Sequence, residues 1–259
     1  MLRKIIKPKF LYDLERLGGN NDGGYLVEKG SIENSLYLLS FGIGHNWKFE
    51  KDFYERKKIP IYCYDKTITY SSIKKFSLKK SGSYLFRIFK PKYFLKEGFF
   101  KEMIENIFLF YDYKKFFKGN IKHIEKNIGL GKDSLYLNNI FNELDIEKCF
   151  IKIDIEGSEY RILNELIEYQ DKISGLIIEF HDVDLHLESI YNFIEKIKLD
   201  LVHVHPQNPA PVINDIPSQL EITFSNGPKK ISDKITLPHK LDHPANPNTK
   251  DIELKFKEY

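Results

Sequence analysis

Three carboxylates crowd into six residues of FIKIDIEGSEYRIL (150–163): Asp154, Glu156 and Glu159. They follow Phe150-Ile151-Lys152-Ile153, which reads as a buried strand. Carboxylates at the end of such a strand are costly to desolvate unless something partners them. Asp154 and Glu156 can therefore bind an amino group, hold a divalent ion or take a proton from a substrate. Glu159 falls in the first turn of the helix expected next, where its charge suits the helix dipole and needs no further role. Gly157 permits the sharp turn between them, and Ser158 is the expected N-cap.

A second constellation lies in IIEFHDVD. Glu179 and His181 stand two apart on an expected strand and so point the same way. With Asp154 they offer a ligand set for Mg²⁺ or Mn²⁺. Alternatively His181 is a general base, because an ordinary histidine titrates near neutral pH. Polar residues exposed at the surface with no further role are the alternative. His203 and His205 also share one strand face. Such a pair can bind metal, hydrogen-bond a sugar or simply pack as satisfied histidines.

The stretch SFGIGHNWKFE puts Gly42 and Gly44 between a strand and a helix, where a ligand can approach the backbone closely. Trp47 stands where a dinucleotide fingerprint has its third glycine, so a cofactor without a pyrophosphate fits better, S-adenosylmethionine first among them. Asp65 ends the second expected strand and can accept from both ribose hydroxyls of an adenosyl group. GLGKDS (129–134) lacks the first glycine of a P-loop, since Lys126 stands there.

These residues need a scaffold that brings strand ends together. Short apolar runs alternate with helical patterns: strands at 35–44, 59–65, 120–127, 149–154 and 173–182, then two late strands in LDLVHVHPQN and LEITFSN, the last antiparallel. Helices are expected over 46–58, from Ser158 through SEYRILNELIEYQDK, and over LHLESIYNFIEKIK. Such alternation implies a mostly parallel sheet with helices on both faces, and ligands then bind beyond the carboxyl ends of the strands. Every residue singled out above lies at such an end.

Residues 66–101 differ. They carry ten Lys or Arg against one acid, with nine Phe or Tyr interleaved, so their charge is +9 and that of the remaining chain −6. This is an insertion after the second strand, either a helical subdomain that packs its aromatics or a cationic wall for a phosphate-bearing ligand. The Pro- and Asn-rich tail, LPHKLDHPANPNTKDIELKF, is expected to wrap the domain. With 42% hydrophobic residues and a net charge of +3, the 259 residues suit one α/β domain with a sizeable core. Two cysteines in apolar runs, no apolar run long enough to span a membrane and no signal peptide point to a cytoplasmic protein.

Taken together, DGGYLV (22–27), LLSFGIGHNWKFEKDF (38–53), FIKIDIEGSEYRIL (150–163), LVHVHPQN (201–208) and LEITF (220–224) resemble the FkbM-type family of S-adenosylmethionine-dependent methyltransferases. The resemblance runs from about residue 15 to the end, apart from the basic insertion, and KIDIEGSEYRIL is its most specific mark. It implies the Rossmann-like class I methyltransferase fold and O-methylation, often of sugars in bacterial capsules and other surface polysaccharides. By position it implies that Gly42 and Gly44 contact the methionine part of the cofactor and Asp65 its ribose. Asp154 and Glu156 would flank the reacting centre, and Asp22 would approach the same cleft. The late histidines are often followed by paired asparagines in such proteins, whereas here Pro206-Gln207-Asn208 follows. The expectation is one domain over 1–259 with the helical insertion at about 66–118. Catalytic roles fall to His181, Asp154 and Glu156, and substrate contacts to His203, His205 and Asn208. The candidate metal ligands are Asp154, Glu179 and His181. The acceptor is expected to be a sugar or nucleotide sugar, with a phosphorylated non-sugar precursor or RNA as alternatives. Nucleic acid is disfavoured because no RNA-binding module is recognisable. A NAD enzyme is disfavoured by the missing glycine and the acidic strand end. An oligomer is compatible with the aromatic insertion.

Overall fold

The computed structural model describes residues 1–88, 90, 99–129, 131, 134–227, 230–232 and 235–257. Seven strands form the central sheet: β1 (Tyr37–Phe41), β2 (Ile61–Tyr64), β3 (Ile121–Ile124), β4 (Cys149–Ile153), β5 (Ile173–Phe180), β6 (Asp200–Pro206) and β7 (Leu220–Ser225). Their order is β6-β7-β5-β4-β1-β2-β3. The five strands from β5 to β3 run parallel to their neighbours, while β7 is antiparallel to both β5 and β6. This is the Rossmann-like class I methyltransferase arrangement that the alternation and the resemblance implied, reversed last strand included. The strand order turns around between β1 and β4, and that is where such sheets open a crevice.

Strands β4 and β5 are buried along their whole length, which is why both read as nearly continuous apolar runs. Their alternate residues serve two cores. Ile151, Ile153, Leu176 and Ile178 face one layer with helices α4 (Leu137–Leu144), α5 (Leu163–Glu168) and α6 (Val183–Lys196). Phe150 and Ile177 face the other, shared with α1 (Lys48–Arg56).

The helix expected from Ser158 is broken into a 3₁₀ turn (Glu159–Arg161), α5 and a second 3₁₀ turn (Gln170–Lys172). Ser158 makes no side-chain cap. The Glu159 carboxylate turns back to accept from the backbone N–H groups of Ile155 (3.1 Å) and Gly157 (3.2 Å).

The insertion supplies α2 (Tyr70–Ile88) and α3 (Phe99–Phe116), which pack on each other between β2 and β3. Ser77 Oγ donates to the Asn106 carbonyl and accepts from the Phe110 N–H, both at 3.1 Å. Residues 89 and 91–98 of the insertion, and 130, 132 and 133 of GLGKDS, lie outside the described residues. An antiparallel hairpin, Leu14–Leu17 with Tyr25–Glu28, lies against the sheet, where Thr223 Oγ1 donates to the Leu26 carbonyl at 2.7 Å. The tail does wrap the domain: Phe256–Lys257 pairs with Leu2–Arg3, and the Ala245 carbonyl accepts from Asp22 N–H. Both cysteines are buried free thiols. Among the described residues no helix is long and apolar enough to cross a membrane.

Candidate active site

A cavity of about 470 Å³ opens beyond the carboxyl ends of β1, β2 and β4, within the range of small-molecule sites. Asp22, Gly42, Gly44, Asp65, Asp154 and Glu156 all line it, as expected. The two glycines differ in why they are glycine. A Cβ on Gly42 would stand 1.7 Å from the Asp154 carbonyl oxygen, so the close approach of β1 and β4 demands it. A Cβ on Gly44 would meet nothing within 4 Å, and there the backbone is open to the cavity.

Asp65 is committed differently from the expected ribose contact. One carboxylate oxygen accepts from the N–H groups of Ile43 (3.0 Å) and Gly44 (2.9 Å). The other accepts from Thr67 N–H (2.8 Å) and Oγ1 (2.6 Å). A carboxylate offers about four lone-pair sites, so these four donors fill it. Burial pushes the Asp65 pKa up, but these bonds outweigh burial and hold it below the ordinary value. As folded, Asp65 braces the glycine turn, and a ribose would have to displace Thr67.

Lys152 is a site residue that the strand reading passed over. It is buried, donates to the Gly42 carbonyl at 2.6 Å and lies 3.6 Å from Asp154. Burial alone would lower its pKa, but Asp154, Glu50 and Glu179 raise it, so it stays an ammonium. Its signal was in the sequence: a lysine inside a fully apolar strand must be paired.

Beside this cavity, Asp154, Glu156 and His181 each present a donor atom within 4.8 Å of the others. That set fits a hard divalent cation with one imidazole. It differs from the expected Asp154–Glu179–His181 set. Glu179 Oε2 instead accepts from the buried Tyr25 hydroxyl at 2.9 Å, and Oε1 stays 3.8 Å from His181. Burial and then Asp154 push the Glu179 pKa up. Tyr25, from the N-terminal hairpin, also reaches Asp154 at 3.3 Å. From the sequence it was assigned no role.

Glu159 has a role after all. It is fully buried and lies 3.0 Å from His181 Nδ1. Since the carboxylate only accepts, Nδ1 carries a proton and Nε2 faces Glu156 Oε2 at 3.5 Å. Burial pulls the imidazole pKa down, but the bond to Glu159 and the charges of Glu159, Glu179 and Asp154 raise it to about 9. His181 is therefore an imidazolium at neutral pH in this arrangement, not the neutral base that its ordinary pKa suggested.

His203, His205 and Asn208 do not line the cavity. His203 Nε2 lies 2.8 Å from Asp242 and His205 Nε2 3.0 Å from Asp251. Asn208 donates to the carbonyls of Asn246 (2.9 Å) and Thr249 (3.0 Å). These contacts fasten the tail, where substrate contacts were expected.

No protein-family model matches the chain, and no curated protein matches it. Among solved structures it is similar to an rRNA methylase from Streptococcus thermophilus, at 8% identity over 76% of this chain and 92% of that one, with a TM-score of 0.36. It is similar to a fibrillarin pre-rRNA processing protein from Methanococcus jannaschii, at 9% identity over 86% of each chain, TM-score 0.36. A protein from Staphylococcus aureus described as a caffeoyl-CoA O-methyltransferase shares 11% identity over 75% of this chain and 78% of its own, TM-score 0.32. The likeness is one of layout, and the fold rests on the strand order itself.

Proposed function

We propose that the protein transfers a methyl group from S-adenosylmethionine to a hydroxyl of a sugar, one carried by a nucleotide or phosphate in capsule or surface-polysaccharide synthesis. The observation that carries this reading is the junction at Glu156. The cavity over the glycine turn meets the Asp154–Glu156–His181 cluster there. The lining fits the cofactor. Asp22 and Asp154 suit its amino group and sulfonium charge, the open backbone at Gly44 suits its methionine end, and Tyr64 and Ile128 offer apolar surface to its base. When bound, it supplies an electrophilic methyl carbon.

The residues must then orient a hydroxyl and take its proton. Alignment alone can supply much of the acceleration. Before His181 can accept a proton at Nε2 it must lose the one it holds, and Glu156 is the exposed carboxylate beside that atom. Glu159 fixes the ring through Nδ1 throughout. Asp154, also in reach of Tyr25 and Lys152, keeps the facing side of the site negative. A divalent ion held by Asp154, Glu156 and His181 would polarise the hydroxyl instead and compete with the imidazole proton.

Calorimetric titration with S-adenosylhomocysteine and separately with NAD tests the reading. Binding of the homocysteine compound alone is expected. His181→Ala should lower turnover about a hundredfold or more and leave that affinity within about twofold. Binding of NAD alone would refute the reading. An RNA methyltransferase is the second reading, favoured by the exposed Phe86, Phe108 and Tyr111 on the basic hairpin, and salt-dependent RNA binding would support it instead.

A further inference from the structure

A second cavity, about 550 Å³, lies on the other side of Glu156 and His181, which both line it. Only Glu156 belongs to both linings. If methyl transfer occurs at this cluster, the second cavity is where the acceptor waits.

Its chemistry differs from that of the first. Lys66, Lys126 and Lys152 line the cofactor cavity. Among the described residues no Lys or Arg lines the second one, which instead has Glu156, Asp182 and Asp184. Asp182 and Asp184 occupy the start of α6, where a helix N-terminus would otherwise attract an anion. The opposite wall includes Pro209 and Pro211, which have no N–H to offer a phosphate oxygen. Leu185, 75% exposed, and Ile213, 41% exposed, leave apolar surface free. Ile213 sits on a small hairpin, Val212–Ile213 with Ile216–Pro217, whose Asp215 is pinned by Lys255 at 2.9 Å. The nearby cation of Lys255 is thus already paired.

We propose that this cavity takes the reacting end of the acceptor as an uncharged polyhydroxylated ring, and excludes phosphate and carboxylate groups from it. Hydroxyls can donate to Glu156, Asp182 and Asp184 in charge-assisted bonds, while the ring's C–H surface rests on Leu185 and the prolines. An anionic group would face three carboxylates, and His181, the cation beside them, is already bonded to Glu159; like charges across a contact are strongly selected against. Any phosphate of a nucleotide-linked or phosphorylated acceptor therefore lies outside this cavity. The inference rests on the methyl-transfer reading and adds the acceptor's charge and place to it.

The test uses the full chain saturated with S-adenosylhomocysteine. Matched sets of a methyl glycoside, the corresponding uronate and the corresponding 6-phosphate, over several hexoses and heptoses, are screened by ligand-observed NMR. Neutral members should bind at least about tenfold more tightly than their anionic partners, about 1.4 kcal/mol. Ala210→Trp, which fills the cavity, should abolish their signal without changing affinity for S-adenosylhomocysteine. Should that variant fail to fold, Asp184→Lys serves: it should narrow or reverse the preference for neutral rings. Equal or tighter binding of the anionic members would overturn the proposal. So would the absence of binding by every member while S-adenosylhomocysteine still binds. Failure of S-adenosylhomocysteine itself to bind would instead defeat the methyl-transfer reading beneath it.

Discussion

At the scale of single residues, Glu159 and His181 show how one contact sets a pH response. The His181 pKa is raised to about 9, against about 6.5 in an unfolded chain. A raised pKa contributes stability that is complete below the unfolded value and is lost as pH climbs through the folded one. The gap would be worth at most about 3 kcal/mol, and water at the edge of the ring cuts that to about 1–2 kcal/mol. Stability to urea should therefore decline between about pH 6.5 and 9. Glu159→Gln keeps an acceptor for the Ile155 and Gly157 N–H groups but removes the charge. It should flatten that decline and move the imidazole titration, followed by NMR, down toward its ordinary value. The alkaline rise of turnover should move with it. A purely structural Glu159 would change the urea midpoint and leave the imidazole titration where it was. The residue type was visible in the sequence and its partner was not, because His181 stands 22 positions away. The dipole reading of Glu159 assumed an α-helix where the chain makes a 3₁₀ turn.

At the scale of elements, strands were legible because burial on both faces leaves a continuous apolar run, and β1, β2, β4, β5 and β7 fall where such runs do. The helix after β4 was not legible, since apolar spacing says nothing about a carboxylate turning back onto its own loop. The paired histidines of β6 misled for a related reason. Two positions on one strand face fix a direction but not what lies in that direction. What lies there is the tail, with Asp251 46 residues beyond His205. Asp242 and His203 are each about 98% buried as side chains, at 2% exposure. Burial pushes the Asp242 pKa up, yet His203 holds it below the ordinary value. Removing the carboxylate leaves a buried imidazole nitrogen without its acceptor, at a cost of about 1–3 kcal/mol. Asp242→Ala should lower unfolding free energy by about that amount in urea titrations. A loss below about 1 kcal/mol would mean that water screens the pair. Leu241, next in the chain, packs with Tyr12, Leu14 and Leu26 of the N-terminal segment, so the same change should loosen the hairpin that carries Tyr25.

At the scale of the whole molecule, charge is divided: the insertion is basic, while acids converge on the cleft. Lys66, where the insertion begins, lines the first cavity, but Lys74, Lys75 and Lys79 of α2 are exposed and line neither cavity, which favours a solvated face over a phosphate wall along that helix. Part of the insertion's aromatic surface behaves as core. Tyr113 packs into the second hydrophobic layer beside β1 and β2, and Leu109, Phe110 and Phe116 pack against it. Tyr113 OH lies 2.7 Å from His123 Nδ1, and His123 Nε2 lies 2.9 Å from the Asp65 carbonyl. A carbonyl only accepts, so Nε2 donates and Nδ1 accepts from the tyrosine. The helix pair is thus joined to the wall of the first cavity through one imidazole. Trp47, the single tryptophan, reports on this joint. Its Nε1 donates to Asp112 of α3 at 2.8 Å, and its ring meets Tyr113 and Phe117 edge-on. A lid that folds by itself would undock first, and tryptophan fluorescence would change before far-ultraviolet circular dichroism. A hairpin that shares the core cannot leave without opening it, so the two signals should trace one coincident transition. Asp112→Asn, which weakens the joint by about 1 kcal/mol, should shift both curves together. Separation of the curves in the variant, or in the native chain, would show that α2 and α3 form an independent unit.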